Sequence, residues 1–235
     1  MKSEEISLGA CGGRILTGDG YRFTQDSVLL ANLLRVGSRD RLLDLGCGGG
    51  VIGVLALLKK GVREVVGVEK DESTAALALR NVALNGLSDR MRVVCADVAN
   101  APELLGRESF DKVVANPPYY DFDDGCFCRE AASKRESGDT LSTFIAAGAA
   151  CLRYGGDFFI VHKAARLADV TERFRKNGLE PKRLTLIFPR PHASADTFVM
   201  AARKGGGKGI EADALFVRDG NGKSTPEFEA LYGNG

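Results

Sequence analysis

Along the chain, short runs of apolar and β-branched residues alternate with longer stretches in which apolar positions recur every three or four residues. The first pattern suits strands buried on both faces, and the second suits helices that cover them. Together they predict an α/β fold with a doubly wound, mostly parallel sheet. The runs Arg41–Leu45, Glu64–Glu69, Arg92–Cys95, Asp111–Ala115, Asp157–His162 and Leu184–Phe188 predict strands. Helical spacing falls at Val51–Lys60, Ser73–Asn85, Thr140–Leu152 and Arg166–Asn177. Asn85-Gly86, Tyr154-Gly155 and Asn177-Gly178 are expected to stop three of these helices, because glycine readily takes the left-handed conformation of a C-cap.

A further apolar run, Thr197–Arg203, is separated from Leu184–Phe188 by Pro189, Pro191 and polar residues, which predicts an antiparallel pair at the sheet edge. Gly205-Gly206-Gly207 breaks that run, and the segment from Ile210 reads as one more strand closed by the turn Asp219-Gly220-Asn221-Gly222. At the front, Gln25–Val36 is amphipathic, with Thr24 as a candidate N-cap, and should pack on the domain. The expected organisation is an N-terminal extension and helix over 1–40, a core domain over 41–204, and an edge extension of the same domain over 205–235.

Composition narrows the class. At 235 residues and 44% apolar, the chain can bury one full core. No stretch approaches a membrane span and the first residues lack an apolar signal core, so the expectation is a cytoplasmic protein without membrane contact. The cysteines at 11, 47, 95, 126, 128 and 151 show no framework spacing and read as reduced thiols. Cys126 and Cys128 lack a second pair, and the histidines stand far off at 162 and 192, so no metal is expected. The net charge of +1 is uninformative, but its distribution is not. Residues 125–210 carry 15 Lys/Arg against 8 Asp/Glu, whereas residues 1–124 carry 15 against 18, weak support for a polyanionic partner.

The stretch Leu42 to Gly53 combines a strand, a glycine turn and a helix start. Glycines let the backbone approach a ligand without a Cβ in the way, and the helix start adds free N–H donors. Gly48-x-Gly50-x-x-Gly53 also fits the dinucleotide fingerprint, with Glu69 placed for ribose hydroxyls, so the loop alone leaves NAD and other adenosine cofactors open. Asp44, Glu69 and Asp97 then place three carboxylates at successive strand ends. This order resembles the class I S-adenosyl-L-methionine (AdoMet) methyltransferases, which are Rossmann-like in fold. The resemblance implies that Asp44 braces the glycine loop and reaches the methionyl part, that Glu69 binds both ribose hydroxyls, and that Asp97 meets the adenine amino group. Gly46, Gly48, Gly50, Lys70 and Val98 complete the expected cofactor set.

The fourth strand ends in Asn116-Pro117-Pro118-Tyr119. Two prolines fix φ and remove two donors, leaving the Asn carboxamide and backbone carbonyls as acceptors beside an aromatic plate. The motif matches one found, in the same family, in enzymes that methylate planar amide or exocyclic amino nitrogens. An adenine N6 lone pair is delocalised into the ring and attacks poorly until the nitrogen pyramidalises. Acceptance of its N–H bonds by Asn116 Oδ1 and the Pro117 carbonyl favours that geometry and the charge that develops. Asn116, Pro117 and Tyr119 are therefore the catalytic candidates, and Asn116 also borders the cofactor.

The flanks, Phe23-Thr-Gln-Asp-Ser-Val-Leu-Leu-Ala31 before the glycine loop and Arg129-Glu130 after Tyr120, are similar to the tRNA1(Val) (adenine37-N6)-methyltransferase-like family over roughly Tyr21 to Tyr232. That resemblance implies adenine N6 of tRNA as acceptor and Thr24, Gln25 and Asp26 as cover for the cofactor, although the last three also fit a simple helix cap. Tyr119, Tyr120, Arg129, Lys134, Arg135, Lys163 and Arg166 are the substrate-binding candidates, the basic ones for phosphate contacts. Asp121, Asp123 and Asp124 oppose such contacts. Alternatives are a protein glutamine N5-methyltransferase acting on release factors, an RNA guanine-N2 methyltransferase, a non-catalytic RNA-binding or cofactor-sensing module, and an NAD-dependent oxidoreductase. Release-factor enzymes usually carry a separate N-terminal helical domain, and only about forty residues precede Asp44 here. The expected state is a monomer or weak homodimer.

Overall fold

The structure, a computed structural model, describes residues 4–18, 23–119 and 140–232. An antiparallel hairpin of β1 (Glu4–Ser7) and β2 (Arg14–Thr17) precedes helix α1 (Gln25–Leu33). Then come β3 (Arg41–Leu45), α2 (Val51–Lys60), β4 (Glu64–Glu69), α3 (Glu72–Leu84), β5 (Met91–Cys95), α4 (Ala101–Leu105) and β6 (Phe110–Ala115). The chain continues through α5 (Thr140–Cys151), β7 (Leu152–Lys163), α6 (Leu167–Lys176), β8 (Leu179–Phe188), β9 (Thr197–Lys204), β10 (Glu211–Phe216) and α7 (Pro226–Tyr232). Every strand and helix expected from periodicity is present. The hairpin, α4 and α7 are additional, each too short or too polar to generate a periodic signal.

Eight strands form one sheet in the order β10-β8-β9-β7-β6-β3-β4-β5. All run parallel except β9, which is antiparallel to both β7 and β8. The antiparallel strand expected at the edge is therefore interior, and β10 takes the edge instead by pairing parallel to β8. The side chains of β9 explain its place. Phe198, Val199, Met200 and Ala202 are all buried, on both faces of the strand, as a central strand requires.

Tyr154-Gly155 does not stop α5 either. The helix gives way to β7 at Leu152, and Gly155, at φ 78°, lies within that strand where its register against β6 is irregular. Lys204 from β9 donates to the carbonyls of Ala149 and Leu152, so an ammonium satisfies helix-terminal acceptors that a glycine cap would otherwise have covered.

The two faces of the sheet carry separate apolar cores. One joins α1, α2, Val82 of α3 and Phe228 of α7, and the other joins α5, α6 and the start of α4. Along β3 the side chains alternate between them: Leu42 faces the first core, Leu43 and Leu45 the second. Asp44 follows the same alternation onto the α2 face, where it is completely buried. From β3 the chain runs outward through β4 and β5, then returns to β6 on the opposite side of β3. The carboxyl ends of β3 and β6 thus flank the point where strand order reverses, the crevice in which open α/β sheets bind ligands.

Candidate active site

On the β3 side of this crevice the backbone is shaped by glycine. Gly46, Gly48 and Gly50 have φ of 65°, 53° and 82°, a left-handed sequence that side chains with a Cβ adopt only under strain. Gly53 is different. Its φ is ordinary, but a Cβ there would lie 2.6 Å from Met91 Cε, so glycine at this position lets α2 pack closely on the β5 side chain. Gly50 caps α2 without any side-chain hydrogen bond, which leaves amide donors at the helix start.

Asp44 lies behind this loop with no exposed surface, and neither carboxylate oxygen has a hydrogen-bond partner. Burial pushes its pKa up to about 8; the Gly53 amide offsets part of the rise and the nearby charge of Glu69 adds to it. Burial, with Asp44 and Glu69 beside it, likewise raises the Cys47 thiol well above its usual range and leaves it an inert packing group. An orphaned, buried acid is costly unless a donor arrives. Glu69, at the end of β4, accepts from Gly48 N–H at 3.0 Å and from Asp71 N–H at 3.0 Å, one bond to each oxygen, and each retains a lone pair. Asp97 follows β5, exposed, accepting from Ala99 N–H at 2.8 Å and capping the turn that begins with buried Val98. Lys70 is exposed beside Glu69.

Asn81 was not singled out by sequence reasoning. It is fully buried on α3, and its carboxamide donates to Gly49 O at 2.9 Å and to Leu16 O at 3.2 Å while accepting from Leu16 N–H at 2.7 Å. One side chain thereby ties the glycine loop to the N-terminal hairpin. The available signal was a polar residue on the buried face of an amphipathic helix, between Ala78 and Val82.

On the β6 side, Asn116 donates through Nδ2 to Ser27 Oγ at 2.8 Å and to Thr24 Oγ1 at 3.3 Å. Thr24 does occupy the N-cap position of α1, yet its hydroxyl makes no capping bond and is turned to Asn116 instead. With Nδ2 engaged, the carboxamide offers Oδ1 as its acceptor. Pro117 is buried and Pro118 exposed. Tyr119 donates its phenol to Asp26 Oδ2 at 2.8 Å, and burial together with the Asp26 charge pushes the phenol pKa upward, so it stays a donor. The Tyr119 ring packs against His162 of β7 at 5.1 Å between centroids, and Lys163 Nζ sits 5.5 Å over it.

The crevice therefore brings together Asp44, the glycine loop, Glu69 and Asp97 on one side, and Thr24, Asn116, Tyr119 and Lys163 on the other. Gln25 is exposed at the start of α1. Lys163 forms an ion pair with Asp196 at 3.0 Å, and Arg166 pairs with Asp169 on α6, so both expected phosphate contacts already have acidic partners. More broadly, Arg153, Arg173, Arg175, Lys176, Arg183, Arg203 and Lys204 of the basic segment are also ion-paired. Part of the local excess is thus neutralised within the fold. Tyr120, Arg129, Lys134, Arg135 and the acids at 121, 123 and 124 lie outside the described residues, as do Cys126 and Cys128.

Comparisons with known proteins identify the family. A tRNA1(Val) (adenine(37)-N6)-methyltransferase of Dickeya chrysanthemi is 25% identical over 213 residues, covering 88% of this chain and 84% of the relative. An enzyme of the same name from Enterobacter is 32% identical over 164 residues, covering 63% and 66%. Among solved structures, one described as a predicted O-methyltransferase of Agrobacterium tumefaciens superposes with a TM-score of 0.74 at 24% identity, covering 88% of this chain and 95% of its own. The model of the methyltransferase small domain matches residues 22–176, which spans both sides of the crevice. With the glycine loop, the strand-end acids and the Asn-Pro-Pro-Tyr corner all inside that stretch, the chain belongs to the methyltransferase small domain family and is a methyltransferase.

Proposed function

We propose that the chain uses AdoMet to methylate an exocyclic amino nitrogen, adenine N6 in a tRNA. The observation that carries this reading is the set of Asn116 contacts: its amide nitrogen meets Ser27 and Thr24, which leaves Oδ1 as the acceptor of the corner that also holds Tyr119. An acceptor oxygen next to an aromatic plate suits a flat substrate bearing N–H groups. The names of the relatives favour the same acceptor.

The residues on the β3 side fit AdoMet. The unpartnered oxygens of Asp44 call for a donor, Glu69 retains lone pairs for a ribose diol, and Asp97 is exposed to meet an amino group. Gly46, Gly48 and Gly50 would let the cofactor approach the backbone, with Lys70, Val98, Thr24 and Gln25 at its margins. When bound, the cofactor supplies a sulfonium methyl as the electrophile.

Asn116 Oδ1 and the Pro117 carbonyl accept hydrogen bonds from the amine, which favours a pyramidal nitrogen and stabilises the positive charge that grows on it. Tyr119 holds the flat face of the base, and fixed positioning contributes much of the rate. A strong base is unnecessary, because the proton is lost from an already cationic nitrogen. The base must leave its stack to reach this corner.

The test is incubation of the protein with radiolabelled AdoMet and total RNA from a strain lacking it, followed by nucleoside analysis. N6-methyladenosine in the tRNA fraction is the expected product. N2-methylguanosine, or label only in protein, would replace adenine with one of the other acceptors.

A further inference from the structure

The first turn of α1 and the Asn-Pro-Pro-Tyr corner are about ninety residues apart in sequence, yet they share three side-chain hydrogen bonds. These bonds have a consistent direction. Both functional groups of the corner donate, Asn116 through Nδ2 and Tyr119 through its hydroxyl, and every acceptor belongs to residues 24–27. Ser27 is buried and Asp26 half-buried, so their two bonds are partly shielded from solvent, whereas the longer bond to Thr24 is exposed. Thr24 even forgoes its capping bond to take part.

We propose that Asp26 and Ser27 are positioning residues for the methyl acceptor: Ser27 anchors the Asn116 carboxamide, and Asp26 anchors the Tyr119 phenol and so the direction in which its ring extends. The physical reason is that both groups rotate freely without a partner. An unanchored carboxamide can swing to another rotamer and carry its acceptor oxygen away from a substrate amine. An unanchored phenol lets the whole ring swing away from the place where a base must stack, and small losses of alignment carry large costs in rate. His162 and Lys163 bound the ring from β7, while Asp26 pins its far end.

This inference rests on the methyl-transfer reading, and one arm of its test is independent of any acceptor. In the kinetic arm, Asp26→Ala and Tyr119→Phe should each lower kcat about tenfold, with the AdoMet Kd within about twofold of wild type. The double variant should be no slower than the worse single variant, because each removes the same bond. Asp26→Asn, which keeps an acceptor oxygen, should regain most of the rate. Ser27→Ala should lower kcat about fivefold and lose that effect in an Asn116→Ala background. Multiplicative losses in the Asp26 and Tyr119 pair, or AdoMet affinity falling in step with kcat, would overturn the assignment.

The second arm is an alkaline titration of phenolate absorbance in the protein alone. The Tyr119 phenol should ionise above the ordinary tyrosine range in wild type, and Asp26→Asn should lower it. An unchanged curve would mean that the bond is absent in solution. Failure to methylate any RNA would instead remove the proposed function and leave the titration result standing.

Discussion

The two sides of the crevice are built differently. On the β3 side the acids follow their own strand ends and bond mostly to backbone amides: Asp97 caps its own turn, and Glu69 holds Asp71 and the glycine loop, which Asn81 of α3 also ties down. On the β6 side, Asn116 and Tyr119 depend on residues 24–27 and on His162 and Lys163. In the proposed reading, a cofactor common to many enzymes would meet groups at strand ends, and the acceptor, which varies among them, would meet an assembly whose parts can change separately.

Variants that remove one side at a time would sharpen this contrast. The largest effect is expected from Asn116→Ala, which should cut kcat by about a hundredfold to a thousandfold while calorimetry finds AdoMet affinity nearly unchanged. Equal loss of both would mean that the sides are not separable. Next comes the pH dependence created by Asp44, whose carboxyl titrates near 8 in the folded chain against 3.8 when exposed. The folded state holds this proton more tightly, so the stability it contributes is complete below about pH 4 and is lost as pH rises towards 8, at about 1.4 kcal/mol per pH unit within that window. Asp44→Asn should remove this slope, as read from chemical denaturation at several pH values. A slope identical to wild type would count against an orphaned acid at this site.

Glu69→Ala should be smaller, weakening AdoMet binding by about tenfold to thirtyfold through the lost ribose contacts, with kcat recovered at saturating cofactor. A fall in kcat that saturation does not restore would tie Glu69 to the chemistry. The smallest effect belongs to Lys163→Met. Its ammonium contributes about 0.5 to 1 kcal/mol over the Tyr119 ring, so a change in KM for tRNA of about threefold is expected. A much larger and strongly salt-dependent change would show that Lys163 serves phosphate rather than the ring.

Much of the β3 side was legible in the sequence. Asp44, Glu69 and Asp97 could be placed at strand ends because apolar runs mark strands, and the glycines could be placed in a turn because nothing else tolerates those backbone angles. The Asn-Pro-Pro-Tyr corner was visible as a motif, but its holders were not. Thr24 reads as a cap from its position, and nothing in its spacing announces that its hydroxyl serves Asn116. Asn81 reads as one more polar residue on a helix, although it binds the glycine loop. Lys163 and Arg166 read as free cations because their acids, Asp196 and Asp169, are chosen by three-dimensional neighbourhood.

The sequence by itself determined most of the strands and helices, the glycine turn, and the carboxylates at or just beyond the ends of β3, β4 and β5, since each depends on side-chain periodicity and backbone sterics within a few residues. Only the tertiary structure decided that β9 lies inside the sheet, that Lys204 bonds carbonyls at the end of α5, and that α1 grips the Asn-Pro-Pro-Tyr corner. Those outcomes depend on hydrogen bonds and packing between segments far apart in the chain, whose partners are selected by the closed core and not by local spacing.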